Sequence, residues 1–172
     1  RQEAAVVEDM RTAGFQIIEQ QRPFEDENLH LTGHLDGKVV WQGQSIVFEV
    51  KSMNPYDWAA LPDRPTVQDF LTSKKPWIRR IPAQGTLYLY LDASGVMLIL
   101  LKNKSTGRIK QAVIELDYDY AEGLLKKIER VNAHVKAGTV PEPIIWDEKI
   151  CGSCKYLHIC PNNRPAEGAQ VL

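Results

Sequence analysis

Residues 46–52 read Ile-Val-Phe-Glu-Val-Lys-Ser, an apolar segment that carries two opposite charges near its end. The β-branched and aromatic residues predict a strand, and Glu49 and Lys51 project to the same face because they lie two positions apart. Phe48 and Val50 then face the opposite, apolar side. The segment therefore predicts a strand that presents a carboxylate and an ammonium group side by side.

Asp36 is a second carboxylate that precedes this strand, in the sequence Gly-His-Leu-Asp-Gly at residues 33–37. Two turn-like segments, at residues 36–37 and 42–44, divide the region into short strands and predict a β-meander. The predicted strands are Leu29–Leu35, Lys38–Trp41 and Ser45–Lys51. In such a meander Asp36 lies at a turn from which it can approach Glu49.

Asp36, Glu49 and Lys51 together are suited to the hydrolysis of a phosphate ester. Two carboxylates can hold a divalent cation, which stabilises charge on a phosphoryl group and lowers the pKa of bound water. A neighbouring lysine can orient or help to deprotonate the attacking water, or stabilise the phosphate. The same spacing is also typical of a plain hairpin turn at Asp36 and an exposed ion pair on an edge strand.

The remaining segments predict one α/β domain with a mixed sheet and a small metal-bearing appendix. The proline-rich segment Ser52–Pro82 predicts a long excursion with one short helix near Thr66–Ser73. The other predicted elements are helices at Gln2–Ala13 and Asp119–Ala137 and strands at Phe15–Gln20, Val96–Lys102 and Arg108–Leu116.

The composition is that of one ordinary globular domain: 172 residues, 44% hydrophobic and 25% charged, with a net charge of −1. This balance excludes a strongly basic surface, so any contact with DNA has to come from local basic patches. The longest apolar run, Val96–Leu101, is far shorter than the stretch of about 20 residues that spans a bilayer. We therefore expect no membrane partner.

Three cysteines lie within ten residues of each other, as Cys151-x2-Cys154-x5-Cys160, and the rest of the chain has none. An odd, clustered set indicates a metal site in a reducing compartment, so we expect a cytoplasmic protein. Three thiolates are one ligand short of the usual four. Either a fourth cysteine precedes Arg1, where the missing initiator Met leads us to expect further residues, or His158 completes a zinc site.

The acidic and lysine residues resemble the motifs of the PD-(D/E)XK nucleases of the RecB branch. That family has a G-x-x-D segment, an apolar strand ending in E-x-K before Ser or Thr, and a later Q-x-x-x-Y motif, which Gln84 and Tyr88 match. The resemblance implies a restriction-endonuclease-like core: a mixed β-sheet flanked by helices. It also favours a helix around Gln84, although the alternation of Leu87–Leu91 on its own predicts a strand.

The resemblance further implies a Mg²⁺- or Mn²⁺-dependent deoxyribonuclease, an exonuclease on single-stranded or frayed DNA. Asp36 and Glu49 would bind the metal with the backbone carbonyl of Val50, Lys51 would assist the attacking water, and the Gln and Tyr of the later motif would support them. DNA and other nucleic-acid-processing proteins are the expected partners. The rival predictions are a catalytically inactive DNA-binding module of the same fold and a zinc-bearing interaction domain.

The cysteine spacing resembles that of CRISPR-associated exonucleases and AddB-type helicase–nuclease subunits, which carry one cysteine far upstream and three near the C-terminus. Pro161 and Tyr156 also fit this pattern. The resemblance implies a 4Fe–4S cluster on Cys151, Cys154 and Cys160, with a structural role. The predicted division of the chain is a nuclease core at 1–145, the cluster segment at 146–165 and a tail at 166–172.

Basic and aromatic residues of the proline-rich excursion are candidate DNA contacts, because cations neutralise phosphates and an aromatic ring can stack on an unpaired base. A solvated loop with a buried tryptophan explains the same composition. The candidates are Lys74, Lys75, Trp77, Arg79 and Arg80.

Overall fold

The computed structural model of the chain describes residues 2–152 and 154–160. Three predictions from the sequence lie outside these residues: the role of Pro161, the end of the cluster segment and the tail at 166–172. The chain divides into two compact units between Glu129 and Arg130.

A five-stranded sheet forms the centre of the first unit, in the order β1-β4-β5-β6-β7. β5 and β6 run parallel, whereas every other neighbouring pair is antiparallel. The predicted mixed α/β sheet is therefore confirmed. The strands are β1 at Gln16–Ile18, β4 at Gly37–Trp41, β5 at Gln44–Met53, β6 at Val96–Asn103 and β7 at Ile109–Glu115.

A separate two-stranded sheet consists of β2 (Arg22–Asp26) and β3 (Leu31–Leu35), paired antiparallel. The predicted meander is wrong at this point, because β3 pairs with β2 and β4 pairs with β1 and β5. Gly37 is needed for packing and not for a hairpin turn: a Cβ on it would lie 2.7 Å from the Phe48 ring. The missed strand β2 contains proline and charged residues, which are uncommon in strands.

The proline-rich excursion holds more helix than predicted, in three short helices before a longer one. Proline occupies the first or second position of three of these four helices, where its missing N–H is not needed by the helix. Thr66 and Asp69 form a capping box that starts the helix predicted near Thr66–Ser73. The four are α2 at Pro55–Ala59, α3 at Val67–Leu71, α4 at Pro76–Arg79 and α5 at Ile81–Leu91.

Helix α5 settles the ambiguity of residues 87–91 in favour of a helix. Local alternation failed as a signal because α5 is apolar around most of its surface, whereas its buried residues follow helical spacing and lie on one face: Ile81, Pro82, Gly85, Thr86 and Leu89. Gly85 allows the close approach to the sheet, since a Cβ there would lie 2.8 Å from Cδ1 of Ile114. The helix is thereby fixed against the sheet at the position of Gln84.

Two apolar clusters cover opposite faces of the sheet. The cluster on the α5 side includes Val47, Met53 and Leu89. The other includes Phe48 and joins the sheet to α1 (Gln2–Thr12) through Val6 and Val7. Each fully buried large apolar side chain contributes about 1.5–3 kcal/mol, so both clusters are needed to hold β5 between its two neighbouring layers.

The C-terminal part of the chain contains helix α6 (Tyr118–Ala137), close to its predicted bounds, the one-turn helix α7 (Glu148–Cys151) and a 3₁₀ turn at Leu157–Ile159. The division between the compact units falls within α6. Among the helices of the described residues, none has both the length and the apolar character that a membrane crossing requires.

Candidate active site

Strand β5 presents Glu49 and Lys51 on the face that looks towards the α5-side core. Val47 and Met53 lie two residues before Glu49 and two residues after Lys51, so they point to the same face, and both are buried in that core. Phe48 belongs to the opposite cluster. The Lys51 ammonium donates a hydrogen bond of 2.6 Å to Oε1 of Glu49. Strand periodicity therefore creates a charged pair inside an otherwise apolar layer.

Helix α5 brings two polar side chains to this pair. The Lys51 ammonium also donates to Oε1 of Gln84 at 2.7 Å. The Gln84 amide nitrogen donates to the Tyr88 hydroxyl at 2.9 Å and lies 3.3 Å from Oε1 of Glu49. The Tyr88 ring in turn meets the edge of Phe24 on β2, with 4.9 Å between ring centroids. One turn of helix thus orients the amide that holds the lysine.

Asp36 reaches the same site from the link between β3 and β4. Its Oδ2 accepts a hydrogen bond of 2.7 Å from the backbone N–H of Val50. Asp36 therefore lies beside β5 because it connects a strand of the two-stranded sheet to a strand of the five-stranded sheet. It does not lie in the predicted hairpin turn. The five side chains predicted as catalytic come together in this region.

Gln21 and Glu3 also contact this region, and no sequence pattern points to Gln21. The Gln21 amide nitrogen donates to Oε1 of Glu3 at 2.5 Å and to Oδ1 of Asp36 at 3.3 Å. Glu3, on α1, carries the third negative charge that acts on the site. His34, the histidine nearest to Asp36 in the sequence, is exposed on β3.

Burial, with repulsion from neighbouring negative charges, makes the Asp36 and Glu49 carboxylates hard to ionise. Burial raises the pKa of Glu49 to about 7; the Lys51 ammonium opposes this shift, and the charges of Asp36 and Glu3 add to it. Burial also raises the pKa of Asp36, against the hydrogen bond from Val50. Negative charge at this site therefore lacks sufficient compensation from the protein.

One atom at the site has no partner: Oε2 of Glu49 is buried and, among the described residues, accepts no hydrogen bond. A buried carboxylate oxygen is costly unless it is hydrogen-bonded or bound to a cation. Together with the raised pKa values, this atom shows that Asp36 and Glu49 fit a hard divalent cation. Within residues 2–152 and 154–160, however, no three or more His, Cys, Asp or Glu residues gather as a ligand set. A cation here would need further oxygen ligands.

The three cysteines differ in their surroundings: Cys151 is buried, Cys154 is exposed and Cys160 is half-buried, all with free thiols. Tight backbone turns link them, with the N–H of Cys154 donating to the Cys151 carbonyl at 3.0 Å. In the part of the chain that the structure describes, the cysteines and His158 do not form a group placed to hold a metal. The predicted cluster therefore stays a prediction.

The basic residues of the excursion are exposed, in keeping with a solvent-facing surface. Lys75 lies 3.6 Å from the buried carboxylate of Asp57, and Arg79 donates to the Ser73 carbonyl at 2.8 Å. Trp77 is 38% exposed, and the buried tryptophan of this region is Trp58. Trp77 is therefore accessible for contact with a partner.

No family model and no curated protein sequence matches this chain. Several solved structures resemble this chain, among them two exonucleases. A phage related exonuclease from Haemophilus somnus 129PT has a TM-score of 0.53 at 13% identity, over 79% of this chain and 69% of that chain. LHK-Exo in complex with dAMP has a TM-score of 0.51 at 14% identity, over 78% of this chain. The match spans 64% of the LHK-Exo chain. At this identity the likeness establishes the fold alone.

Proposed function

We propose that this chain is a divalent-metal-dependent nuclease that hydrolyses phosphodiester bonds in DNA. The observation that carries the proposal is the buried Oε2 of Glu49, which has no hydrogen-bond partner among the described residues. It lies near Asp36 and near a lysine fixed by two acceptors. The shared fold with two exonucleases supports the proposal. A purely structural ion pair would not leave a buried carboxylate oxygen without a partner.

The proposed cation ligands are the carboxylates of Asp36 and Glu49 with the backbone carbonyl of Val50. Oxygen ligands of this kind suit Mg²⁺ or Mn²⁺. A bound ion would stabilise negative charge on the phosphoryl group and lower the pKa of bound water. It would also offset the burial of the two carboxylates and the repulsion from neighbouring negative charges, which together raise their pKa values.

Lys51 is proposed as the residue that acts on the phosphate or on the attacking water. An ammonium group has three N–H donors, and two of them are given to Glu49 and Gln84. The third can donate to a phosphate oxygen or orient a water molecule, in a site where low polarity strengthens the contact. Gln84 and Tyr88 fix the direction of the ammonium group and are positioning residues.

The proposed substrate is single-stranded or frayed DNA, cut exonucleolytically. Exposed Lys74, Arg79 and Arg80 supply cations for phosphates, and half-exposed Trp77 supplies a ring for stacking on a base. Lys75, paired with Asp57, is the least free of the candidates. Other nucleic-acid-processing proteins and a cytoplasmic location remain part of the proposal.

The test is the degradation of labelled single-stranded DNA with Mn²⁺ or Mg²⁺ by the parent, Lys51→Ala and Glu49→Ala. Lys127→Ala, an exposed lysine of α6, is the matched control. We expect activity in the parent and the control and its loss in the two site variants. Equal activity in all four proteins would contradict the assignment. Metal-independent DNA binding without cleavage would favour the inactive module instead.

For the cysteine segment we propose a 4Fe–4S cluster on Cys151, Cys154 and Cys160, completed by one further ligand. The cysteine spacing supports this, although the sulfur atoms do not form a ligand group in the structure. No catalytic step is assigned to the cluster. Iron analysis and visible thiolate-to-iron absorption test it; zinc without iron would favour the zinc-bearing interaction domain. Residues 146–165 remain the proposed cluster segment, next to a core at 1–145.

A further inference from the structure

Gln21 occupies a conformation that places its amide between two carboxylates. It lies in the link from β1 to β2, with a φ of +54°, a left-handed value uncommon for residues other than glycine. Its amide nitrogen contacts Glu3 at 2.5 Å and Asp36 at 3.3 Å. Its backbone N–H donates to the Asp36 carbonyl at 3.3 Å. Gln21 therefore meets Asp36 through both side chain and backbone.

The two contacts of the amide nitrogen use both of its N–H donors, one for each carboxylate. Asp36 is then held at Oδ1 by Gln21 and at Oδ2 by the backbone N–H of Val50. Each carboxylate oxygen has a second lone pair, so both hydrogen bonds fix the plane of the group and leave it free to bind a cation. The arrangement orients Asp36 without blocking it.

Gln42 also has a left-handed backbone, but for a different reason from Gln21. Gln42 has a φ of +50°, and Gly43 after it has +77°. These two residues form the tight connection between β4 and β5, where such values are required by the turn. The link that contains Gln21 joins strands of two different sheets, so no hairpin demands its conformation. Gln21 differs from Gln42 in its hydrogen bonds to Asp36 and Glu3.

We propose that Gln21 is a positioning residue of the active site, which orients Asp36 for cation binding and ties Glu3 of α1 to the same site. This inference rests on the proposed nuclease function. Hydrogen-bonding partners of metal ligands typically contribute about 10- to 100-fold to metal affinity or activity. Gln21 acts through Asp36 and is not assigned any contact with substrate.

The test compares Gln21→Met with Gln42→Met, which remove the same amide from two left-handed positions. Mn²⁺ binding is measured by titration calorimetry, and DNA cleavage is measured as a function of Mn²⁺ concentration. For Gln21→Met we expect a Kd for Mn²⁺ raised about 10- to 100-fold, and a cleavage defect that shrinks as Mn²⁺ increases. Gln42→Met should match the parent in both measurements.

Gln21→Gly is a second variant that controls for misfolding of Gln21→Met. Glycine adopts the left-handed backbone without strain and also lacks the amide. The variant should be as stable as the parent and still bind Mn²⁺ weakly. Parent-like Mn²⁺ affinity in both Gln21 variants, with an active parent, would overturn the role of Gln21 and leave the nuclease proposal standing. A parent that neither binds Mn²⁺ nor cleaves DNA would overturn both.

Discussion

The acidic site on β5 and the cysteine segment after α6 are held together in different ways. At the acidic site, Lys51, Gln84 and Tyr88 form a continuous set of side-chain hydrogen bonds across two elements. In the described part of the cysteine segment, successive backbone turns link Cys151, Cys154 and Cys160, but the three cysteines form no group placed to hold a metal. The acidic site is thus organised by hydrogen bonds of the protein itself, whereas the proposed cluster would have to be organised by its metal.

Removal of one proposed ligand from each site should affect folding at the cysteine segment and not at the acidic site. Cys154→Ser should lose the cluster and most of the folded yield, because a site organised by its metal contributes its binding energy to folding. Glu49→Gln should fold as well as the parent, since the core around β5 does not depend on an ion. Soluble yield, iron content and thermal unfolding measure both. Normal yield and stability in Cys154→Ser would contradict a structural cluster.

Within the acidic site the largest effect on chemistry is expected from Lys51→Ala. The side chain is fixed by two acceptors and lies in a partly buried setting, where a donor aimed at developing charge is most effective. We expect the rate of DNA cleavage to fall about 100- to 1,000-fold, in the range for removal of one such donor. A fall of less than about tenfold, with parent-like folding, would place the catalytic contribution elsewhere.

The buried carboxylates of the acidic site should make the stability of the protein depend on pH. Burial raises the pKa of Glu49 from 4.5 to about 7, so the folded state binds this proton more tightly than the unfolded state does. The contribution of Glu49 to the free energy of unfolding should then fall by about 3 kcal/mol as pH rises from 4.5 to 7, and stay level above. The raised pKa of Asp36 acts in the same direction.

Chemical denaturation of the metal-free protein at several pH values measures this slope. Glu49→Gln is the matched control, because it keeps the shape of the side chain and cannot ionise. It should be less sensitive to pH and more stable than the parent above pH 7. A parent whose stability rises with pH over the same interval would contradict the burial of an uncompensated Glu49 carboxylate.

The smallest effect is expected from Tyr88→Phe. The substitution removes the hydroxyl that accepts a hydrogen bond from the Gln84 amide, and it keeps the ring that packs on Phe24. A hydrogen bond of this type contributes about 1 kcal/mol, so cleavage should fall only a few-fold with little change in Mn²⁺ affinity. A loss as large as that of Lys51→Ala would mean that Tyr88 itself contacts the reacting groups.

The same contrast explains how much could be predicted from the sequence. The shared face of Glu49 and Lys51 follows from strand periodicity, and the motif resemblance predicted that Gln84 and Tyr88 lie on a helix. The pairing of β3 with β2 and the contact of Gln21 with Asp36 could not be predicted, because they depend on long-range packing and on a left-handed backbone. The cysteine spacing gave the clearest local pattern, and its cluster stays a prediction.

Mn²⁺ titration of the metal-free parent and of Glu49→Gln tests the claim that Asp36 and Glu49 form a cation site whose hydrogen bonds are in place before the ion binds. Calorimetry should show Mn²⁺ binding to the parent that is lost or weakened at least about tenfold in Glu49→Gln, with both proteins folded alike. Equal Mn²⁺ affinity in the two proteins, or no binding to the parent, would contradict the claim.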